Sequence, residues 1–110
     1  MMNLSLLEQF KRYFKVTGSI TTVKQDNRII EKHFIGYLEE RTTIKSFEKM
    51  TVNELNGFYH FILNQVKKGI ISKSYAKDIL YAVNKLIGGI NRKYRKGLNK
   101  YNVAKFIKGV

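Results

Sequence analysis

TVNELNGFYHFILNQVKKG, residues 51–69, contains a complete helix from cap to stop. Thr51 and Glu54 stand at the spacing of a capping box, in which each side chain satisfies an otherwise orphaned end amide. Leu55, Phe58, Tyr59, Ile62, Leu63 and Val66 then recur every three or four residues and make one face apolar. Lys67-Lys68-Gly69 closes the segment, with cations against the negative end of the helix dipole and a glycine suited to the turn. A helix with one apolar face must bury it against another element, so the stretch predicts a helix-on-helix fold.

The flanking sequence repeats the pattern. Downstream, Ser72 or Ser74 opens a fourth helix reaching about Gly88 or Arg92, with Ala76, Ile79, Leu80, Val83, Leu86, Ile87 and Ile90 on its buried side. The polar-basic stretch Asn91–Gly97 follows. A short fifth segment, Asn102–Lys108, can dock Val103, Phe106 and Ile107. Upstream, Leu7, Phe10 and Phe14 mark a first helix over Leu4–Lys15, stopped near Gly18. A second runs from about Thr22 to Arg41, with Val23, Ile30, Phe34, Tyr37 and Leu38 on one side. The 42–50 connection is expected to tuck Ile44 and Phe47 inward. No strand pattern or internal repeat is found, and the chain has no proline. The expected fold is all-α, a compact bundle of four to five helices.

At 110 residues there is room for one core. The absence of cysteine excludes disulfides and thiolate metal sites. No run approaches the ~20 apolar residues of a membrane span, and Met1–Ser5 does not start a secretory signal. A cytoplasmic protein without membrane partners is expected.

Charge is the most informative bulk property. Twenty-one Lys and Arg face eight Asp and Glu, net +13. The first 55 residues hold nine basic and seven acidic side chains, whereas residues 56–110 hold twelve basic residues and one acid, Asp78. Solubility needs a net charge of only about 2–8 in a small domain. The excess points to a polyanionic partner.

Catalytic chemistry finds little support. His33 and His60 lie on separate helices without carboxylates at metal-ligand spacing, and a lone helical histidine is usually a boundary residue. Gly88-Gly89 does not make a phosphate loop. No catalytic residue, metal site or cofactor is expected.

The basic stripes are richer. Ser74, Lys77, Tyr81 and Lys85 share the face of the fourth helix opposite its apolar side. Lys73 and Arg92 can hold phosphates at its two ends, and Ser74 offers a hydroxyl near the helix start. Lys24, Arg28 and Lys32 form a second stripe on the second helix, diluted by Glu31. A helix about 10–12 Å across fits the roughly 12 Å major groove of B-DNA. Duplex DNA is therefore the expected partner, with lysine-rich contacts favouring phosphate over base readout. The alternative is a helical interaction or oligomerisation module whose basic face meets an acidic protein. An RNA-binding bundle ranks third, because aromatic platforms on strands are missing.

Several stretches carry a family resemblance. Leu7-Glu8-Gln9-Phe10 is followed, after Ser19-Ile20-Thr21-Thr22, by the long helix ending Phe34-Ile35-Gly36-Tyr37-Leu38. Met50-Thr51-Val52-Asn53-Glu54-Leu55-Asn56-Gly57-Phe58 comes next, then Lys68-Gly69-Ile70-Ile71-Ser72-Lys73-Ser74 and Leu80-Tyr81-Ala82-Val83-Asn84-Lys85-Leu86. This ordered series, over roughly residues 4–92, resembles the N-terminal core-binding (SAM-like) domain of tyrosine recombinases, the phage-integrase family. The resemblance implies a four- or five-helix bundle forming half of a C-shaped clamp on a recombination site, with the second and fourth helices toward DNA. It implies other recombinase protomers as partners, and catalysis in a separate C-terminal domain, so Tyr94 and Tyr101 are not read as nucleophiles. The chain lacks the Asn-Pro pair common after the family's fourth helix and has Ser74 where Thr is common. Residues 1–92 are accordingly read as the DNA-binding domain, and 93–110 as a basic extension leading toward the catalytic half.

Overall fold

Side-chain caps set the helix starts in the computed structural model, which describes residues 4–15 and 21–108, with the backbone alone at positions 21–23 and 107. Helix α1 begins at Ser5, whose hydroxyl accepts from the Glu8 amide at 3.1 Å while Glu8 accepts from the Ser5 amide at 3.2 Å. It spans Leu6–Gln9 and widens into a π-helical stretch, Phe10–Phe14. Its start is therefore two residues later than Leu4, at an S-x-x-E signature. The expected stop at Gly18 lies outside the described residues, as do the side chains of Val23 and Ile107.

Helix α2 is continuous over residues 21–41 as Thr21–Ile29, a π-helical stretch Ile30–Ile35, and Gly36–Arg41. Ile30, Phe34 and Leu38 are buried as expected, but so are Ile29 and Ile35. A π turn holds more residues than an α turn, so it rotates the apolar stripe and brings in positions that a 3.6-residue period leaves out.

Helix α3, Val52–Lys67, carries the Thr51–Glu54 capping box, with the Glu54 carboxylate accepting from the Thr51 amide at 2.6 Å. Leu55, Phe58 and Ile62 are buried, and Tyr59, Leu63 and Val66 half-buried. Gly69 follows at φ 75°, a left-handed conformation that costs glycine little. Helix α4 spans Lys73–Tyr94. Its cap is Ser72, whose hydroxyl accepts from the Tyr75 amide at 3.0 Å, so Ser74 belongs to the first turn.

Helix α4 does not stop at Gly88 or Arg92. Ile90, the residue directly after the glycines, is fully buried, which anchors the end of the helix to the core. The glycines instead admit neighbours. A Cβ on Gly89 would stand 3.2 Å from the Phe14 ring, and one on Gly88 would stand 3.4 Å from Lys100 Cε.

Residues 95–102 run back along α4 as a strap held by two asparagines. Asn91 Nδ2 donates to the Leu98 carbonyl at 2.8 Å, and its Oδ1 accepts from the Leu98 amide at 3.0 Å. Two helical turns earlier, Asn84 makes the same pair with Tyr101, at 3.0 and 2.7 Å. The Tyr101 hydroxyl donates to the Leu55 carbonyl at 2.5 Å, and burial pushes this phenol far above the usual tyrosine range. Helix α5, Val103–Lys108, then seats Val103 and Phe106 in the core.

All five helices share this core. Phe34 meets Phe58 edge-on at 4.9 Å, and Phe47 meets Phe14 at 5.5 Å. Phe47 opens a short 3-10 turn, Phe47–Lys49, in the 42–50 connection. Buried Gln9 holds that connection, donating to the Lys45 carbonyl at 2.8 Å and accepting from the Phe47 amide at 3.2 Å. The Cα radius of gyration of 13.7 Å is close to the ~13 Å of a single domain this long. The described residues form an all-α bundle without strands, and no helix among them is long and apolar enough to cross a membrane.

Candidate nucleic-acid interface

The two basic helices lie against each other. The Lys85 ammonium on α4 is ion-paired to the Asp26 carboxylate on α2. Further along the seam, His33 Nε2 and the Tyr75 hydroxyl are hydrogen-bonded at 2.9 Å, their rings edge-on at 5.3 Å. Burial, and secondarily the Lys32 charge, holds the His33 imidazole below its usual pKa. A neutral ring accepting from the Tyr75 hydroxyl fits that environment.

Lys24, Arg28 and Lys32 are exposed on α2, and Lys24 and Arg28 share a shallow groove with Tyr75 of α4. On α4, Lys73, Ser74, Lys85 and Arg92 are exposed and Lys77 is half-buried. Tyr81 is 51% exposed, which leaves its ring and hydroxyl accessible in the middle of the strip. The stripes read separately from the sequence are thus brought onto neighbouring helices. Lys24, Arg28, Lys32, Lys77 and Arg92 take part in no ion pair among the described residues. Ser74 does not cap the helix, because Ser72 holds that position.

Three features of this surface modify the basic stripes. Asp26 neutralises Lys85, although 59 residues separate them. Asp78 is exposed on the same helix face and adds a negative charge among the lysines. Lys100, on the strap, reaches over Gly88 toward Arg92. The Gly88-Gly89 pair is the signal that was available for the last, since two small residues inside a helix invite a close approach.

A cleft of about 650 Å³ opens beside the strip, between α1, α2 and α4. Phe10, Phe14 and Leu86 line its apolar part, and Asp26, Lys85 and Arg92 contribute charged groups. Lys93, also on its wall, stacks its ammonium over the Tyr13 ring at 4.2 Å. Burial raises the Tyr94 phenol next to it, with smaller contributions from Glu48 and Tyr13. Among the described residues no three His, Asp or Glu side chains come together as a metal-binding group.

No protein-family model, curated protein or solved structure matches this chain.

Proposed function

We propose that the chain binds duplex DNA through the joined outer surfaces of α2 and α4, as the non-catalytic, core-binding half of a tyrosine-recombinase clamp. The observation that carries this reading is the side-by-side seating of the two basic helices. Cations from both then act on one polyanion, and their fields add over a single surface. Phosphate suits the set, because lysine supplies a point charge and few residues here offer the planar, bidentate geometry of base readout. Tyr81 supplies a neutral donor among the charges. The ordered motifs over residues 4–92 support the recombinase assignment, together with the five-helix bundle. In such a clamp, strand cleavage falls to another domain. The Tyr101 hydroxyl is committed to the Leu55 carbonyl, which suits a structural tyrosine.

The test is a fluorescence-anisotropy titration of a labelled duplex at several KCl concentrations, with the parent chain and an Arg28→Glu/Lys77→Glu variant, which changes on each helix one cation that is unpaired among the described residues. The parent is expected to bind, with log affinity falling about 0.9 per log unit of salt for each phosphate neutralised. The variant should bind roughly tenfold weaker or worse, from lost phosphate contacts and added repulsion. A parent that gives no shift at physiological salt but retains an acidic protein defeats the DNA reading. Equal binding by parent and variant places the interface elsewhere.

A further inference from the structure

The strap carries a charge to a place the helix stripes do not account for. From the position a Cβ would take on Gly88, Lys100 Nζ lies 3.5 Å away and Arg92 Nη1 3.6 Å away. Two exposed cations therefore converge on the same point of α4, and neither forms an ion pair among the described residues. Like charges brought together repel, and an oxyanion between them turns repulsion into attraction. Gly88, buried beneath them, puts no side chain of its own between the two cations.

The arrangement is also held in place. Lys100 sits between Leu98 and Tyr101, whose amides and carbonyls are clamped by Asn91 and Asn84. Gly88 sits between those asparagines on α4. The backbone carrying Lys100 is thus fixed on both sides of the notch, which lowers the entropy lost on binding. Arg92 projects from the same rigid helix.

We infer that Lys100 and Arg92 form a two-cation site over Gly88 for a DNA phosphodiester, making the strap a third DNA-contacting element beside α2 and α4. The inference rests on the proposed DNA binding for its ligand, while the site itself is separately testable with inorganic phosphate.

The experiment compares the parent, Lys100→Ala/Arg92→Ala, and a control, Lys45→Ala/Lys49→Ala, which removes two exposed cations from the 42–50 connection. In duplex titrations against KCl, the Lys100/Arg92 variant should bind more weakly and lose about 0.9 from the slope of log affinity against log salt, one phosphate's share. The control should keep the parent slope. Duplex binding by the parent with an unchanged slope in the Lys100/Arg92 variant overturns the site and leaves the DNA reading intact. If the parent binds no duplex, inorganic phosphate followed by amide NMR decides the matter. Saturable shifts at Gly88 and Lys100 that vanish in the variant uphold the site, and their absence in the parent overturns it.

Discussion

Asp26 of α2 and Lys85 of α4 are ion-paired across the seam between the two basic helices. The pair ties the helices together and removes one cation from the surface both present. Lys85 is well exposed and Asp26 largely covered, at 61% and 19% of their side chains. Solvent therefore screens the bond, and its contribution to stability is about 0–1 kcal/mol. Its larger consequence falls on the surface charge.

Asp26→Asn keeps the shape of the side chain and releases Lys85. Duplex affinity should rise, and the salt slope should steepen by up to about 0.9 if the released lysine reaches a phosphate. The urea midpoint should move little. Anisotropy titrations and urea melts of the same preparations check both, and a weaker-binding Asp26→Asn would contradict the expectation.

Asn84→Ala and Asn91→Ala should each loosen the strap. Each removes two hydrogen bonds and leaves partly buried amide and carbonyl groups unpaired, a loss of about 1–3 kcal/mol. Hydrogen exchange should quicken first at Leu98 and Tyr101, ahead of the Leu55–Ile62 core of α3. Uniform acceleration across the whole bundle would show that the strap does not open on its own.

Gly57→Ala and Gly88→Ala should move stability in opposite directions. A Cβ on Gly57 meets the Tyr37 hydroxyl at 2.5 Å, so the ring must shift from its edge-on packing against Phe58, at 5.3 Å. Such overpacking costs about 1–3 kcal/mol, more than the roughly 1 kcal/mol gained in helix propensity. At Gly88 the closest contact is an ordinary 3.4 Å, so that gain is largely kept. Thermal melts should give a lower Tm for Gly57→Ala and a higher one for Gly88→Ala. The Gly88→Ala methyl also enters the notch beneath Lys100, so phosphate affinity should fall as stability rises.

His33 should make the fold acid-sensitive just below neutrality. Its folded-state pKa lies below the ordinary value of 6.5, from burial first and Lys32 second. As pH falls through 6.5 the unfolded chain takes up this proton before the folded one does. Stability is therefore lost on acidification in that window and regained on returning to pH 7.5. Urea midpoints at pH 7.5 and 5.5 should show the drop, and His33→Gln should reduce it. An unchanged pH dependence in His33→Gln would remove His33 as its source.

The helices were legible because their signals are local. Thr51 and Glu54 lie three residues apart, and the apolar stripe of α3 repeats within single turns. These patterns act through i, i+3 and i+4 neighbours, which the order of residues alone specifies. The asymmetric charge of the two halves is likewise a property of composition. The second helix was readable in extent but not in register, because its π-helical stretch brings in Ile29 and Ile35 against the 3.6-residue period.

The sequence by itself determined the all-α class, the caps of α3, the apolar faces and the basic stripes of α2 and α4. Tertiary structure alone decided that these stripes adjoin, that Asp26 occupies Lys85, and that Asn84 and Asn91 carry Lys100 to Gly88. The physical reason is the reach of each interaction. Capping and amphipathicity close within a turn or two, whereas the pair across the seam joins residues 59 apart and the Asn84 clamp closes a 17-residue span. Contacts of that kind form only when burial of the shared core sets the helices side by side.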